Sequence, residues 1–227
     1  LSGAIKGKVV MITGASAGIG KAAALKIGEA GAKTIIIART EEKLLETQQE
    51  IAARGGQAFI YTADVSDIAS CDALVRRVLD DHGGVDILIN NAGRSIRRAI
   101  ENSLDRFHDY ERTMQLNYFG ALRLIMGFIP SMLQKKRGHI INISSIGVLS
   151  NAPRFSAYVA SKAALDAFSR CAVAEFSDSG IEFTTINMPL VRTEMIAPTK
   201  IYQHVPTLSP EEAADLIVQA IIYKPER

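Results

Sequence analysis

Residues 9–20 read Val9-Val10-Met11-Ile12-Thr13-Gly14-Ala15-Ser16-Ala17-Gly18-Ile19-Gly20. The opening apolar run is short and does not alternate with polar residues, which marks a strand covered on both faces. Glycines then allow a sharp turn, and an alanine-rich helical pattern runs on to Ala30. Strand, glycine-rich turn and helix, in that order, make a cradle for phosphate. The backbone can approach a pyrophosphate closely, and the positive end of the helix faces its charge. An ordinary strand-to-helix turn also uses glycine, but here the flanking elements meet the condition that phosphate binding sets.

The same alternation continues along the chain. Apolar runs recur at Thr34–Ile37, Ala58–Tyr61, Ile87–Ile89, Ile140–Ile143 and Phe183–Ile186. Helical patterns lie between them, over Gly18–Ala30, Glu41–Arg54, Asp67–Asp81, Leu104–Lys136, Ser156–Ser177 and Pro210–Tyr223. Pro130 is expected to bend or break the long fourth one. Strands buried on both faces and separated by helices predict an α/β fold, a doubly wound parallel sheet of Rossmann type in a three-layer αβα sandwich. No repeat, low-complexity tract or linker divides the chain, so residues 1–227 are read as a single domain. The least regular stretch, Pro189 to Thr207, is expected to be a mobile loop near the site.

With 26 basic and 24 acidic residues the net charge is only +2, which gives no electrostatic case for nucleic acid or an anionic membrane. Small molecules are the expected partners. Cys71 and Cys171 are far apart without CxxC spacing and are read as two buried thiols in a reducing compartment. His82, His108, His139 and His204 show no metal-ligand spacing, so no metal is expected. No apolar run approaches a membrane span and no signal-peptide pattern opens the chain, which predicts a cytoplasmic protein. The start at Leu1 rather than Met, and the stop just after a helical pattern, suggest a piece of a longer chain.

Tyr158 and Lys162 stand four residues apart, one helical turn, on one helix face. A nearby ammonium favours the ionised phenol, so Lys162 is expected to lower a tyrosine pKa that is otherwise about 10 and fit Tyr158 for acid–base work.

The turn Thr13-Gly14-Ala15-Ser16-Ala17-Gly18-Ile19-Gly20 has GxxxGxG spacing and resembles the TGxxxGIG motif of the short-chain dehydrogenase/reductase family letter for letter. The resemblance implies cofactor contacts from Gly14, Ser16, Ala17, Gly18, Ile19 and Gly20. After the second strand an acidic residue would hold the ribose hydroxyls of NAD, yet the chain has Ala38-Arg39-Thr40. A guanidinium grips a 2′-phosphate, so Arg39, with Ser16 and Thr40 as hydroxyl donors, points to NADP(H). Asp64 and Val65 sit where the family contacts adenine, and Asn90-Asn91-Ala92-Gly93 reproduces its NNAG motif, placing Asn91, Ala92 and Gly93 beside the cofactor.

The resemblance also implies the catalytic set. Ser145, second of a serine pair and thirteen residues before Tyr158, takes the place of the family's serine, and Asn117 in the fourth helix that of its asparagine. Ser145 and Tyr158 would donate to the oxygen of a carbonyl accepting hydride. Lys162 would tune the phenol and grip the nicotinamide ribose, and Asn117 would anchor a water linking Lys162 to solvent. The family's PGxVxT segment appears as Met188-Pro189-Leu190-Val191-Arg192-Thr193, with proline in place of glycine. Val191 and Thr193 are the implied contacts to the nicotinamide amide. Family members assemble through the fourth and fifth helices, so a homodimer or homotetramer packed along Ala163–Ala174 is expected.

For the substrate, Leu190, Val191, Met195, Ile196, Ala197, Pro198, Ile201 and Tyr202 offer an apolar surface that suits a hydrophobic carbonyl compound. Arg94, Arg97 and Arg98 stand near the expected mouth, where they would hold phosphates of coenzyme A or a carrier protein or simply face solvent. A narrower resemblance, carried by Arg106–Asn117, the segment 188–193 and Pro198-Thr199-Lys200, is to the reductase domain of multidomain fatty acyl-CoA reductases. It implies reduction of a long-chain acyl thioester or fatty aldehyde. The alternative is a non-catalytic NADP(H) sensor or scaffold.

Overall fold

The computed structural model describes residues 2–199, 202 and 204–227. Strands β1 (Val9–Thr13), β2 (Lys33–Ala38), β3 (Gln57–Thr62), β4 (Ile87–Asn90), β5 (Gly138–Ser145) and β6 (Ile181–Met188) appear where the apolar runs predicted them. They form one sheet in the order β3-β2-β1-β4-β5-β6, and every pairing is parallel. The helices are α1 (Ser2–Ile5), α2 (Gly18–Glu29), α3 (Glu41–Ala53), α4 (Ile68–His82), α5 (Phe107–Met114), α6 (Ala121–Lys135), α7 (Ile146–Ser150), α8 (Ser156–Glu175) and α9 (Pro210–Tyr223). α1 and α7 were not foreseen, because four or five residues are too few to display a helical period.

Each strand divides its side chains between two cores. Val10, Ile12, Ile36, Ile89 and Ile141 pack with α2, α3 and α9 through Ile27, Leu44, Ile51, Ile217 and Ile221. Met11, Ile35, Ile37, Leu88 and Ile140 face the other way, onto α4, α6 and α8 through Leu74, Val78, Leu124, Phe128 and Leu165. Each fully buried Leu or Ile contributes about 1.5–3 kcal/mol, so both layers are needed to hold the sheet. Local signals agree with this packing. Asp67 caps α4 by accepting from the Ala69 amide at 3.0 Å, and Gly83 ends it at φ 67°. Ser209 and Glu212 form a reciprocal capping box at the start of α9.

Three expectations need correction. Pro130 lies inside α6 without breaking it. Pro130 and Met126, whose carbonyl loses its helical donor, both lie on the exposed face, where water can serve that carbonyl. The irregularity falls earlier, in a π-helical turn over Gln115–Gly120 that joins α5 to α6. Cys71 is buried but Cys171 is exposed, because it shares the outer face of α8 with Ala167 and Ala174. Finally, Phe107–Lys135 is a continuous helix long and apolar enough, by length and composition alone, to cross a membrane. It carries buried Asp109, Thr113 and Asn117 and packs on α4 and α8, as a core helix does.

The topology fixes where a ligand sits. From β1 the chain winds outward through β2 and β3, then returns to β4 on the other side of β1. A crevice opens at this reversal, above the carboxyl ends of β1 and β4, where Gly14 and Asn91 stand. The segment after β6 is irregular as expected, and two backbone bonds pin its base, Leu208 N to Leu190 O and Arg192 N to Leu208 O, each 2.9 Å. Lys200 and Ile201 lie outside the described residues.

Candidate active site

A cleft of about 1560 Å³ runs along the carboxyl edge of the sheet. Its phosphate end is built by close approach. Gly14 has φ 68°, and a Cβ there would lie 3.0 Å from Asn91 Nδ2. Asn91 in turn donates from Nδ2 to the Thr13 carbonyl at 2.9 Å, while the buried Thr13 hydroxyl accepts from the amides of Asn91 and Ala92 at 3.0 and 2.9 Å. These bonds lock the end of β4 to the glycine turn. Gly20 brings α2 against that turn, since a Cβ would sit 2.3 Å from the Gly14 carbonyl oxygen. α2 follows Ala17, which supplies no side-chain cap, and has no acidic residue in its first turn. Its first amides are therefore free to bind an anion, in a cradle that fits a pyrophosphate.

Arg39, Thr40 and Lys43 continue the wall beyond β2, and Arg39 pairs with no carboxylate among the described residues. Asp64 follows β3. Burial would raise its pKa, but bonds from the Ser66 hydroxyl and amide, at 2.7 and 2.9 Å, and the charges of Arg39 and Arg94 hold it below the usual carboxylate range.

At the other end, Ser145 closes β5 and Tyr158 and Lys162 project from α8 into the same cleft. The Ser145 oxygen accepts from the Gly147 amide at 3.1 Å, which leaves its proton free to donate. Lys162 is buried and donates to the Ile143 carbonyl at 2.7 Å; burial lowers its pKa to about 8. The Tyr158 pKa is raised, chiefly by burial and also by Tyr202, with Ser145 pulling the other way. This runs opposite to the expected depression by Lys162. Burial of the phenol sets this direction, and Lys162 is not among the groups that shift it.

Asn117 lies behind the wall, in the π turn. Its Oδ1 accepts from the Arg94 amide at 2.8 Å, and its Nδ2 donates to the Arg94 carbonyl at 2.8 Å and the Ser161 hydroxyl at 2.9 Å. Ser161 donates onward to the Tyr158 carbonyl at 2.7 Å. One buried amide thus ties the β4 exit to the first turn of α8. Gly93 leaves a gap between Asn117 and Lys162, where an added Cβ would be 3.4 Å from both Oδ1 and Nζ.

Residues 8–202 match the family model described as short chain dehydrogenase. The chain belongs to that family. It is 61% identical over 223 residues to a fatty acyl-CoA reductase of Acinetobacter baylyi, covering 98% of this chain and 76% of that one. A fatty acyl-CoA reductase of Mycobacterium tuberculosis is 49% identical over 224 residues, with the same coverage, 98% and 76%. Among solved structures, the L-sorbose reductase of Gluconobacter frateurii, complexed with NADPH and L-sorbose, superposes with a TM-score of 0.87 at 29% identity, covering 96% of this chain and 90% of that one. A metagenomic short-chain oxidoreductase in complex with NADP gives a TM-score of 0.82 at 30% identity, covering 96% and 91%.

As a short-chain dehydrogenase the chain is an oxidoreductase, and its cleft gathers nearly all the residues that the sequence singled out. Gly14, Ser16, Ala17, Gly18, Ile19, Arg39, Thr40, Asp64, Val65, Asn91, Ala92, Gly93, Ser145, Tyr158, Lys162, Val191 and Thr193 all line it. Gly20 and Asn117 do not; both act from behind, by packing and by hydrogen bonds. Arg94 and Arg97 reach the cleft, but Arg98 is turned away to buried Asp109, at 2.5 Å. Sequence reasoning missed Lys43, Arg112 and Phe155 on the wall and Ser161 behind it. Ser161 was the most accessible of these, since it adjoins Lys162 on the helix that carries the motif.

Proposed function

We propose that the chain is an NADPH-dependent reductase of hydrophobic carbonyl compounds, acting on fatty aldehydes or long-chain acyl thioesters. The observation that carries this reading is the convergence of Ser145, Tyr158 and Lys162 on one end of a cleft whose other end offers a glycine cradle and the unpaired Arg39. Arg39, with Ser16 and Thr40, would grip a 2′-phosphate, and the first amides of α2 the pyrophosphate. Bound in that cleft, the reduced nicotinamide supplies the hydride.

The remaining work falls to the chain. Tyr158 gives its proton to the substrate oxygen as negative charge develops there, and Ser145 donates a second hydrogen bond to the same oxygen; an aldehyde becomes the alcohol, whereas a thioester becomes a hemithioacetal whose C–S bond then breaks to release the aldehyde and coenzyme A as its thiol. Lys162, with a pKa near 8, exchanges protons close to neutral pH. That suits a relay that restores the Tyr158 proton better than it suits a fixed charge. Asn117 is a positioning residue, and a water in the gap beside Gly93 would link it to Lys162. The apolar arm of Leu190, Met195, Phe155 and Tyr202 beside Tyr158 would take the alkyl chain. A single domain, a cytoplasmic location and homodimers or homotetramers formed through α5, α6 and α8 belong to the same reading.

The test is NADPH and NADH oxidation with palmitoyl-CoA, decanal and a cyclic ketone side by side. Turnover of an aliphatic substrate with NADPH, lost in Tyr158→Phe while NADPH still binds, supports the proposal. Turnover of the ketone alone removes the aliphatic assignment, and a fully active Tyr158→Phe removes the catalytic one.

A further inference from the structure

Besides the Arg39 and Lys43 end, the cleft has a second cationic margin made by Arg94, Arg97 and Arg112. This margin is held in place. The Arg94 main chain is clamped on both sides by Asn117, and the Arg98 amide donates to the Arg154 carbonyl at 2.7 Å. On α5, Asp109 has a side chain only 3% exposed and is approached by three guanidiniums, Arg98 at 2.5 Å, Arg106 at 2.9 Å and Arg112. One carboxylate cannot neutralise three cations, so the group keeps surplus positive charge. Arg94 and Arg97 pair with no carboxylate among the described residues.

The margin adjoins the apolar arm. Phe155 stacks with Tyr202 at 6.5 Å between centroids and meets Tyr158 edge-on at 6.4 Å. Burial raises the Tyr202 pKa, while the charge of Arg97 acts to lower it, which sets Arg97 at the seam between arm and margin. The cleft volume of about 1560 Å³ also exceeds the usual range for one small ligand, about 300–1,000 Å³.

We propose that Arg97 and Arg112, backed by Arg94 and organised by Asp109, bind the phosphates of coenzyme A, holding a thioester substrate by its carrier while its acyl carbonyl reaches Tyr158. The inference rests on the acyl-thioester reading above. Guanidiniums pair with phosphate oxygens through charge-assisted, often bidentate bonds, and the exposed Arg97 and Arg112 are open to an incoming phosphate.

The experiment compares KM for palmitoyl-CoA with KM for decanal, which has no phosphate, in the wild type, Arg97→Gln and Arg112→Gln. The ratio of the two KM values should rise about tenfold per variant, the loss of one charge-assisted contact. Free coenzyme A should compete with decanal, less well at high salt, whereas pantetheine should not. Calorimetric titration with free coenzyme A needs no turnover, so it keeps this proposal separable from the activity. If neither palmitoyl-CoA nor decanal is reduced, the functional reading fails, yet coenzyme A binding that weakens in both variants still supports the margin. An unchanged KM ratio, no binding of free coenzyme A, or arginine dependence seen only with an acyl carrier protein thioester would overturn it.

Discussion

Replacing Lys162 by methionine tests the electrostatics of the site through stability alone. Burial lowers the Lys162 pKa from 10.5 to about 8. At about 1.36 kcal/mol per pKa unit, burying the ammonium costs the folded state roughly 3 kcal/mol at pH 7, where the unfolded chain holds the proton freely. The sign follows from proton binding. Between pH 8 and 10.5 the unfolded chain binds more protons at this residue than the folded one, so stability rises with pH across that window. Methionine keeps the apolar stem and has no charge to desolvate; it loses the bond to the Ile143 carbonyl, which a neutral amine retains. Urea unfolding of both proteins at pH 7, 8, 9 and 10 should therefore show the wild type gaining about 2–3 kcal/mol relative to Lys162→Met. Keeping at or below pH 10 limits interference from Tyr158, whose raised pKa lies above that range. A difference between the two proteins that stays flat from pH 7 to 10 would refute the claim that this amine is desolvated, and with it the proton-relay role.

Three further outcomes follow from the geometry. Gly20→Ala forces a Cβ to 2.3 Å from the Gly14 carbonyl oxygen, a backbone atom that cannot swing aside. Overpacking of about 1–3 kcal/mol should lower Tm by several degrees and weaken NADPH binding, and calorimetry showing wild-type values for both would contradict the packing argument. Arg39→Ala should raise KM for NADPH about tenfold while leaving KM for NADH near its wild-type value, so steady-state kinetics with equal changes for both cofactors would remove the 2′-phosphate assignment. Gly93→Ala meets nothing nearer than 3.4 Å, so the protein should fold with unchanged Tm. The added methyl fills the gap between Asn117 and Lys162, so kcat should fall about tenfold or more and the pH profile should shift. A normal pH–rate profile would show that no proton path uses that gap.

How much of this was readable from the chain depends on whether the signal was local. The six strands and the large helices were legible because two-sided burial leaves uninterrupted apolar runs, and because helices of twelve residues or more display their period. The cradle was legible because turn, strand and helix are contiguous in residues 9–20. What escaped was relational. Nothing near Asn117 says that its amide spans from Arg94 to Ser161, across 23 and 44 residues, and that span makes it a clamp instead of a group on the wall. Arg98 has the same composition and neighbourhood as Arg97, yet one meets Asp109 eleven residues on and the other the cleft. The Tyr158 and Lys162 pair shows the limit most sharply. Helical spacing correctly placed both in one cleft, but spacing carries no burial, and burial decided the direction of both pKa shifts. A lysine read from sequence as a fixed charge becomes, once desolvated, a group whose pKa falls to about 8. The chemistry of the site therefore depends as much on the core that buries α8 against the sheet as on the residues of the motif.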